Sequence, residues 1–134
     1  MALQKPITIS SVIDPVYAAS NCNDGIVDEI CHTQGHPSNW LRIDLGGRKI
    51  ITFMIINNRA DTWANRRRLS NSDLYVFDNE DPNDNRRLSA HIEDGEPLVH
   101  LLRCGKPLFA RNVELLQPVD GSNRFLNIRE ISVY

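Results

Sequence analysis

Residues 39 to 58, NWLRIDLGGRKIITFMIINN, constrain the fold more than any other stretch of this chain. Leu41, Ile43 and Leu45 alternate with Trp40, Arg42 and Asp44, the period of two that points successive side chains to opposite faces of a sheet. Gly46–Gly47 interrupts the pattern, and paired glycines punctuate chains at turns. IITFMII then runs apolar without a break, which predicts a second strand, buried on both faces.

The remaining segments are short, apolar and rich in β-formers: PITISSVI, DLYVF, PLVHLLR, FARNVELL and RFLNIREISVY. Turn clusters separate them, among them NCNDG, DNEDPNDN, EDG and PVDGSN. No stretch sustains a 3.6-residue apolar period. The pattern predicts an all-β fold, a β-sandwich or jelly roll of about eight antiparallel strands. The last strand carries an irregularity. Leu126 and Ile128 share one face, whereas Ile131 and Val133 are out of phase with them. A bulge near Arg129–Glu130 resets such a register, and it would re-aim Glu130; a strand that merely stops alternating is the other reading.

The 134 residues fit one domain, residues 1–134, large enough to hold a core without disulfide staples. The formal net charge of −2 argues against a nucleic-acid binder driven by phosphate contacts. Twelve of the 15 basic residues are arginine, a bias toward planar, fork-shaped donors. No apolar run is long enough for a membrane span, and no secretory leader is expected from the first residues. Cys22, Cys31 and Cys104 are an odd number, so at least one has no partner within the chain. No Cys-x-x-Cys pair points to structural zinc.

Two constellations stand out. If the two strands of the 39–58 stretch are antiparallel neighbours, His32 before the first and Arg59, Asp61 and Arg66 after the second gather at one rim. Loops at sandwich ends are where binding residues collect. Asp61 would neutralise one arginine and fix its fork, leaving N–H groups for a ligand rich in lone pairs. The competing reading is a surface ion-pair cluster of little consequence. The second constellation is SNCNDGIVDE, residues 20–29, whose Asn21, Asn23, Asp24, Asp28 and Glu29 are hard oxygen donors around Gly25. Such donors suit calcium, although Asx-rich turns without metal are common. The acidic stretch 78–87 around Pro82 reads as a solvated hairpin loop. His36, His91 and His100 read as surface or strand residues. No Gly-x-Ser-x-Gly, His-Glu-x-x-His or phosphate-cradling loop suggests catalysis, and no enzyme is expected.

The rim set has a recognisable spacing: His32, 26 residues, Arg59-x-Asp61, four residues, Arg66. It resembles the sugar-binding signature of the F-type (fucose-binding) lectins, within the discoidin-like superfamily of coagulation-factor C-type domains. AASNCNDG, HTQGHPSNWLRIDLG, IINNRAD and LNIREISVY resemble further segments of that family, so the likeness spans residues 19–134. The resemblance implies a jelly-roll lectin for terminal α-L-fucose. His32, Arg59 and Arg66 would donate to the axial 4-hydroxyl, the 3-hydroxyl and the ring oxygen, with Asp61 orienting them. It also implies a structural calcium ion at Asn21, Asp24, Glu29 and Glu130 with the backbone carbonyl of Ile26.

Departures from the family accompany the likeness. Thr62–Trp63 stand where the family often has two adjacent half-cystines; Trp63 would then lie against the apolar face of the sugar, or else anchor its loop on the core. Ile30 and Arg129 stand at the positions of another family disulfide, and Cys104 resembles a family cysteine without its partner. Tyr17 is a substitute candidate for the pocket that takes the fucose methyl group. The implied partners are fucosylated glycans or glycoproteins, bound by several copies or an oligomer for avidity. The implied setting is extracellular or a secretory granule, as part of a larger or processed chain, with an intracellular setting also open. The other functional readings are a discoidin-like domain that binds a protein or lipid surface, and an accessory module of a larger enzyme.

Overall fold

The computed structural model describes residues 1–79, 81 and 85–134. Among them are seven strands: β1 (Ile7–Ile9), β2 (Cys31–His32), β3 (Asn39–Asn58), β4 (Ser72–Phe77), β5 (Arg87–Ile92), β6 (Val99–Gln117) and β7 (Asn127–Val133). All pairings are antiparallel, in the order β2-β7-β3-β6-β4-β5, with β1 on β3. The one α-helical turn among these residues, α1 (Trp63–Arg66), follows β3. The hairpin loop expected around Pro82 falls in part on residues 80 and 82–84, which lie outside the described residues.

The two strands expected within residues 39–58 are one element. β3 does not turn back beside itself; it pairs along its length with β6, which likewise unites PLVHLLR and FARNVELL. Twenty extended residues would span about 65 Å. Yet Asn58 Nδ2 donates to the carbonyl of Arg66 at 3.0 Å, while Asn39 is bonded to Gln117, whose Nε2 donates to the carbonyl of Arg68 at 2.8 Å. Both ends of β3 therefore reach the same short segment, and the β3–β6 ribbon must fold over. It does so where the ladder breaks between Asp44 and Lys49. Gly46 supplies the bend with a φ of +83°, which a side chain would strain. The folded ribbon makes the two layers of a sandwich.

The core lies between the layers. Leu41, Ile43 and Leu45 are buried on one half of β3, as their alternation predicts, and Ile51, Met54 and Ile56 on the other. The second half is not buried on both faces: Ile50 is 62% exposed. The apolar run hides this alternation because a register shift between Ile51 and Phe53 switches the buried positions from odd to even. β5, with only Ile92 buried, and the two-residue β2 gave no pattern to read. In β7 the expected bulge is present: Asn57 pairs with Glu130 but Asn58 with Ile128, so Arg129 has no opposite number. Leu126, Ile128, Ile131 and Val133 all enter the core, and Glu130 is turned inward to 5% exposure.

A second acid, Glu114, is buried within the sheet at 1% exposure. Glu114 on β6 lies opposite Arg42 on β3 and Tyr75 on β4. Its Oε2 accepts from Arg42 Nε at 2.6 Å. Arg86 Nη2 is 3.0 Å from Oε1, outside hydrogen-bond angles, so that contact is Coulombic. The guanidinium of Arg42 stacks on Trp40 at 3.8 Å and that of Arg86 on Tyr75 at 3.5 Å, so both cations are held flat against aromatic faces. Cys22 and Cys31 form a disulfide. Closing this loop removes unfolded-state freedom that stabilises the fold by about 2–3 kcal/mol.

Candidate functional site

β7 is what brings the rim residues together. Ile128 lies opposite Cys31 of β2 on one side and Asn58 of β3 on the other. The residues that follow, His32 and Arg59, therefore flank Asn127, which stands directly opposite His32. The convergence expected of His32 and Arg59 rested on a hairpin that does not exist; the shared neighbour strand produces it, and it does not extend to Arg66.

His32 is buried to 7% exposure. Its Nδ1 lies 2.7 Å from the carbonyl oxygen of Thr33. A carbonyl only accepts, so Nδ1 carries the proton and donates. Burial lowers the imidazole pKa from 6.5, the Thr33 bond opposes this, and the charges of Arg59 and Arg68 lower it further. The neutral ring therefore offers Nε2 as an acceptor, not the donor implied by the resemblance. Two aromatic rings flank it: Tyr17 at 5.9 Å and Phe125, edge-on, at 5.6 Å. Gly35 makes room for Phe125, since a Cβ there would come within 2.9 Å of its ring.

Arg59 is held by Asp61. Its Nε donates to both carboxylate oxygens at 2.9 Å, and Nη2 lies 2.8 Å from Oδ2. Asn65 Nδ2 also donates to Asp61. Burial would raise the Asp61 pKa, but hydrogen bonds from Arg59, Thr62 and Asn65 outweigh it and hold the carboxyl at about 2. Asp61 is thus an anion at any physiological pH.

The structure separates the three consecutive arginines. Thr62 caps α1, accepting from Asn65 N through its hydroxyl, and the turn sends neighbouring side chains in different directions. Arg66 is engaged with the 96 loop, its Nε donating to the carbonyl of Glu96 at 2.9 Å, and its charge is not among those that act on His32. Arg67 stacks on Trp63 at 4.3 Å and pairs with Glu96 at 3.4 Å. Arg68 comes to the rim: its guanidinium lies 4.8 Å from the Phe125 ring centre and its charge acts on His32 and Arg59. Its neighbour Leu69 is buried and fixes the end of the segment. Trp63 is 54% exposed, so it does not anchor its loop in the core.

The rim as observed is thus His32, Arg59, Asp61 and Arg68 with Tyr17, Phe125 and Asn127; Arg66 stands apart. Phe125 and Asn127 were missed because the sequence shows them only as members of a strand-like run. Both amide atoms of Asn127 are buried without a hydrogen-bond partner. Buried polar atoms are almost always paired, so an unpaired amide beside His32 marks a place where a ligand hydroxyl or a bound water belongs.

The calcium set divides in the same way. Gly25 N lies 3.4 Å from Glu130 Oε1, and Oε2 is buried without a partner. Burial raises the Glu130 pKa to about 7, and the Asp24 carboxylate adds to the rise. The two acids are thus near enough for their charges to interact, while Asp24 Oδ1 also accepts from Ile26 N at 2.8 Å. Glu29 and Ile26 are exposed, and Asn21 directs its amide N–H groups at the carbonyls of Val16 and Ile30. Among the described residues no three His, Cys, Asp or Glu side chains gather as a metal site. The donors present fit one side of a hard-cation site, not the full expected set.

A folded-over antiparallel ribbon with a polar cluster at one rim defines a jelly-roll binding module. Residues 21–115 match the family described as NedA-like, galactose-binding domain, and the chain belongs to that family, a class of carbohydrate-binding module. No curated protein matches the chain. Among solved structures, a Streptococcus pneumoniae fucose binding module is 27% identical with a TM-score of 0.84, over 99% of this chain and 92% of that one. A fucolectin from striped bass (Morone saxatilis) serum is 26% identical with a TM-score of 0.82, over 98% of this chain and 47% of that one. The family 32 module of C. perfringens NanJ, solved with galactose, shares the fold at 19% identity and a TM-score of 0.77, over 96% of this chain and 91% of that one.

Proposed function

We propose that this domain is a lectin module that binds terminal α-L-fucose at the rim formed by His32, Arg59 and Arg68. The observation that carries the reading is the meeting of one acceptor with two planar donors. His32 Nε2 accepts from one sugar hydroxyl, and Arg59 and Arg68 donate to neighbouring oxygens. A hydroxyl both donates and accepts, so it can lie between imidazole and guanidinium and satisfy both. Arg68 takes the role that the signature spacing would give to Arg66. Tyr17 and Phe125 supply the apolar surface for the deoxy-sugar's methyl group, while Trp63 flanks the site. The likeness to the pneumococcal fucose binding module and the bass fucolectin supports this reading.

Few hydrogen bonds of about 0.5–1.5 kcal/mol each give weak monosaccharide binding, so several copies or an oligomer supply avidity on fucosylated glycoproteins. A structural calcium ion belongs, in this reading, against Asp24 and Glu130, where it would offset two interacting carboxylates. The Cys22–Cys31 disulfide fits an oxidising, extracellular or secretory compartment. The test is binding to a panel of matched glycans with and without terminal fucose. Binding confined to the fucosylated members, and lost in Arg59→Ala, is expected; equal binding to both sets would end the proposal.

A further inference from the structure

Beside the rim lies a cleft of about 380 Å³ that extends beyond the proposed fucose site. It begins at Arg68 and Phe125, which it shares with the rim, and continues past Arg67, Asn71, Asn123 and Arg124. Its charge is unbalanced. Asp120 is the one carboxylate lining it, and that acid is already engaged, accepting from Ser122 and lying 3.5 Å from Arg124 Nε. Arg124 is structural: its guanidinium donates to the carbonyls of Pro118, Asn71 and Ser70, tying two loops together. Arg67 has its flat face on Trp63 and one exposed contact with Glu96. Arg68 has no carboxylate within ion-pair distance among the described residues; burial and the charge of Arg59 weaken its hold on its own proton, and the more distant Asp61 carboxylate only partly offsets them. Two guanidinium groups thus border a space wide enough for a sugar ring, with Glu96, on the exposed side of Arg67, the one carboxylate paired with either among the described residues.

From this arrangement we infer that the cleft is a second subsite, selective for an anionic substituent, a sulfate ester or a carboxylate, on the sugar next to the terminal fucose. The inference rests on the fucose reading of the rim. Planar guanidinium groups match the paired oxygens of both anions, and a terminal residue seated at Arg68 directs its neighbour along the cleft.

The experiment is titration calorimetry at low salt with four ligands: free L-fucose, a neutral fucosylated lactosamine, its sulfate ester, and its sialylated form. The wild-type domain should bind at least one of the two charged glycans about tenfold more tightly than the neutral one. Which one it prefers identifies the anion. Arg67→Gln, at a side chain 56% exposed, should reduce that preference to near parity while leaving free L-fucose affinity unchanged. Raising the salt should erode the preference and spare fucose binding. Equal or weaker binding of both charged glycans overturns the inference with the fucose reading intact, as does a preference that survives in Arg67→Gln. No binding of any of the four overturns both.

Discussion

Arg59 and Asp61 form a two-pronged ion pair, with Nε 2.9 Å from each carboxylate oxygen and Nη2 2.8 Å from Oδ2. Two residues apart on one loop, they make a rigid unit that turns the remaining edge of the fork outward. Asp61→Asn keeps the shape and removes the charge. We expect L-fucose affinity to fall about five- to tenfold, since charge-assisted bonds are roughly twice as strong as neutral ones. The melting temperature should barely move, because Asp61 is partly exposed. Calorimetry with a thermal melt checks both; unchanged affinity would show that Asp61 does not position Arg59.

His32 sets the pH dependence of binding. Its pKa lies below 6.5 in the fold, so the ring is neutral at pH 7 and Nε2 accepts. Protonation turns that acceptor into a donor and adds a positive charge beside Arg59 and Arg68. Affinity should be flat from pH 8 to 7 and fall only on acidification below the ordinary imidazole range, as the ring takes up its proton. Asp61, held at about 2, stays ionised throughout and contributes nothing to the change. Titrations from pH 8 to 5 decide it; affinity that rises on acidification would contradict the assignment of Nε2.

Glu130 links stability to pH and to calcium. Its pKa is raised to about 7 from an unfolded value of 4.5. Between those values the folded state holds a proton that the unfolded state has lost, so stability falls as pH rises through that window. In chelator the domain should melt several degrees higher at pH 5 than at pH 8, and Glu130→Gln should flatten the difference. Calcium at pH 8 should restore the wild-type melt and leave Glu130→Gln unaffected. A wild-type melt indifferent to calcium would remove the ion from the account.

Glu114 carries a purely structural prediction. Glu114→Ala leaves Arg42 and Arg86 without their shared carboxylate in a mostly buried setting, and breaking such a pair costs about 3–5 kcal/mol. Both arginines keep some solvent access, 30% and 24%, so the lower end of that range is expected in denaturant unfolding. Fucose affinity should not change. A loss under about 1 kcal/mol would show that solvent already screens the pair.

The layers were legible because burial imposes a period. Leu41, Ile43 and Leu45 alternate cleanly, and the phase slip from Ile128 to Ile131 marked the bulge that turns Glu130 inward. The fold-over of β3 was not legible, since a long ribbon bent at Gly46 and two separate strands share one hydrophobic pattern. Ile50 read as core for a related reason: a ladder shift is a pairing event, and the partner strand is invisible in a local window. At the rim, spacing picked out Arg59 and Asp61, which interact along the chain. It did not resolve Arg66 from Arg68, because their directions depend on how one helical turn is capped by Thr62 and anchored by Leu69. Asn127 enters through pairing with β2 and Phe125 through its ring contact with His32, and neither had a local signal.

The most direct test is L-fucose titration of Arg66→Ala and Arg68→Ala alongside the wild-type domain. The account predicts measurable wild-type binding, a loss of about tenfold or more in Arg68→Ala, and affinity within about twofold of wild type in Arg66→Ala. Wild-type affinity in Arg68→Ala, or a wild-type domain that binds no fucose, would contradict it.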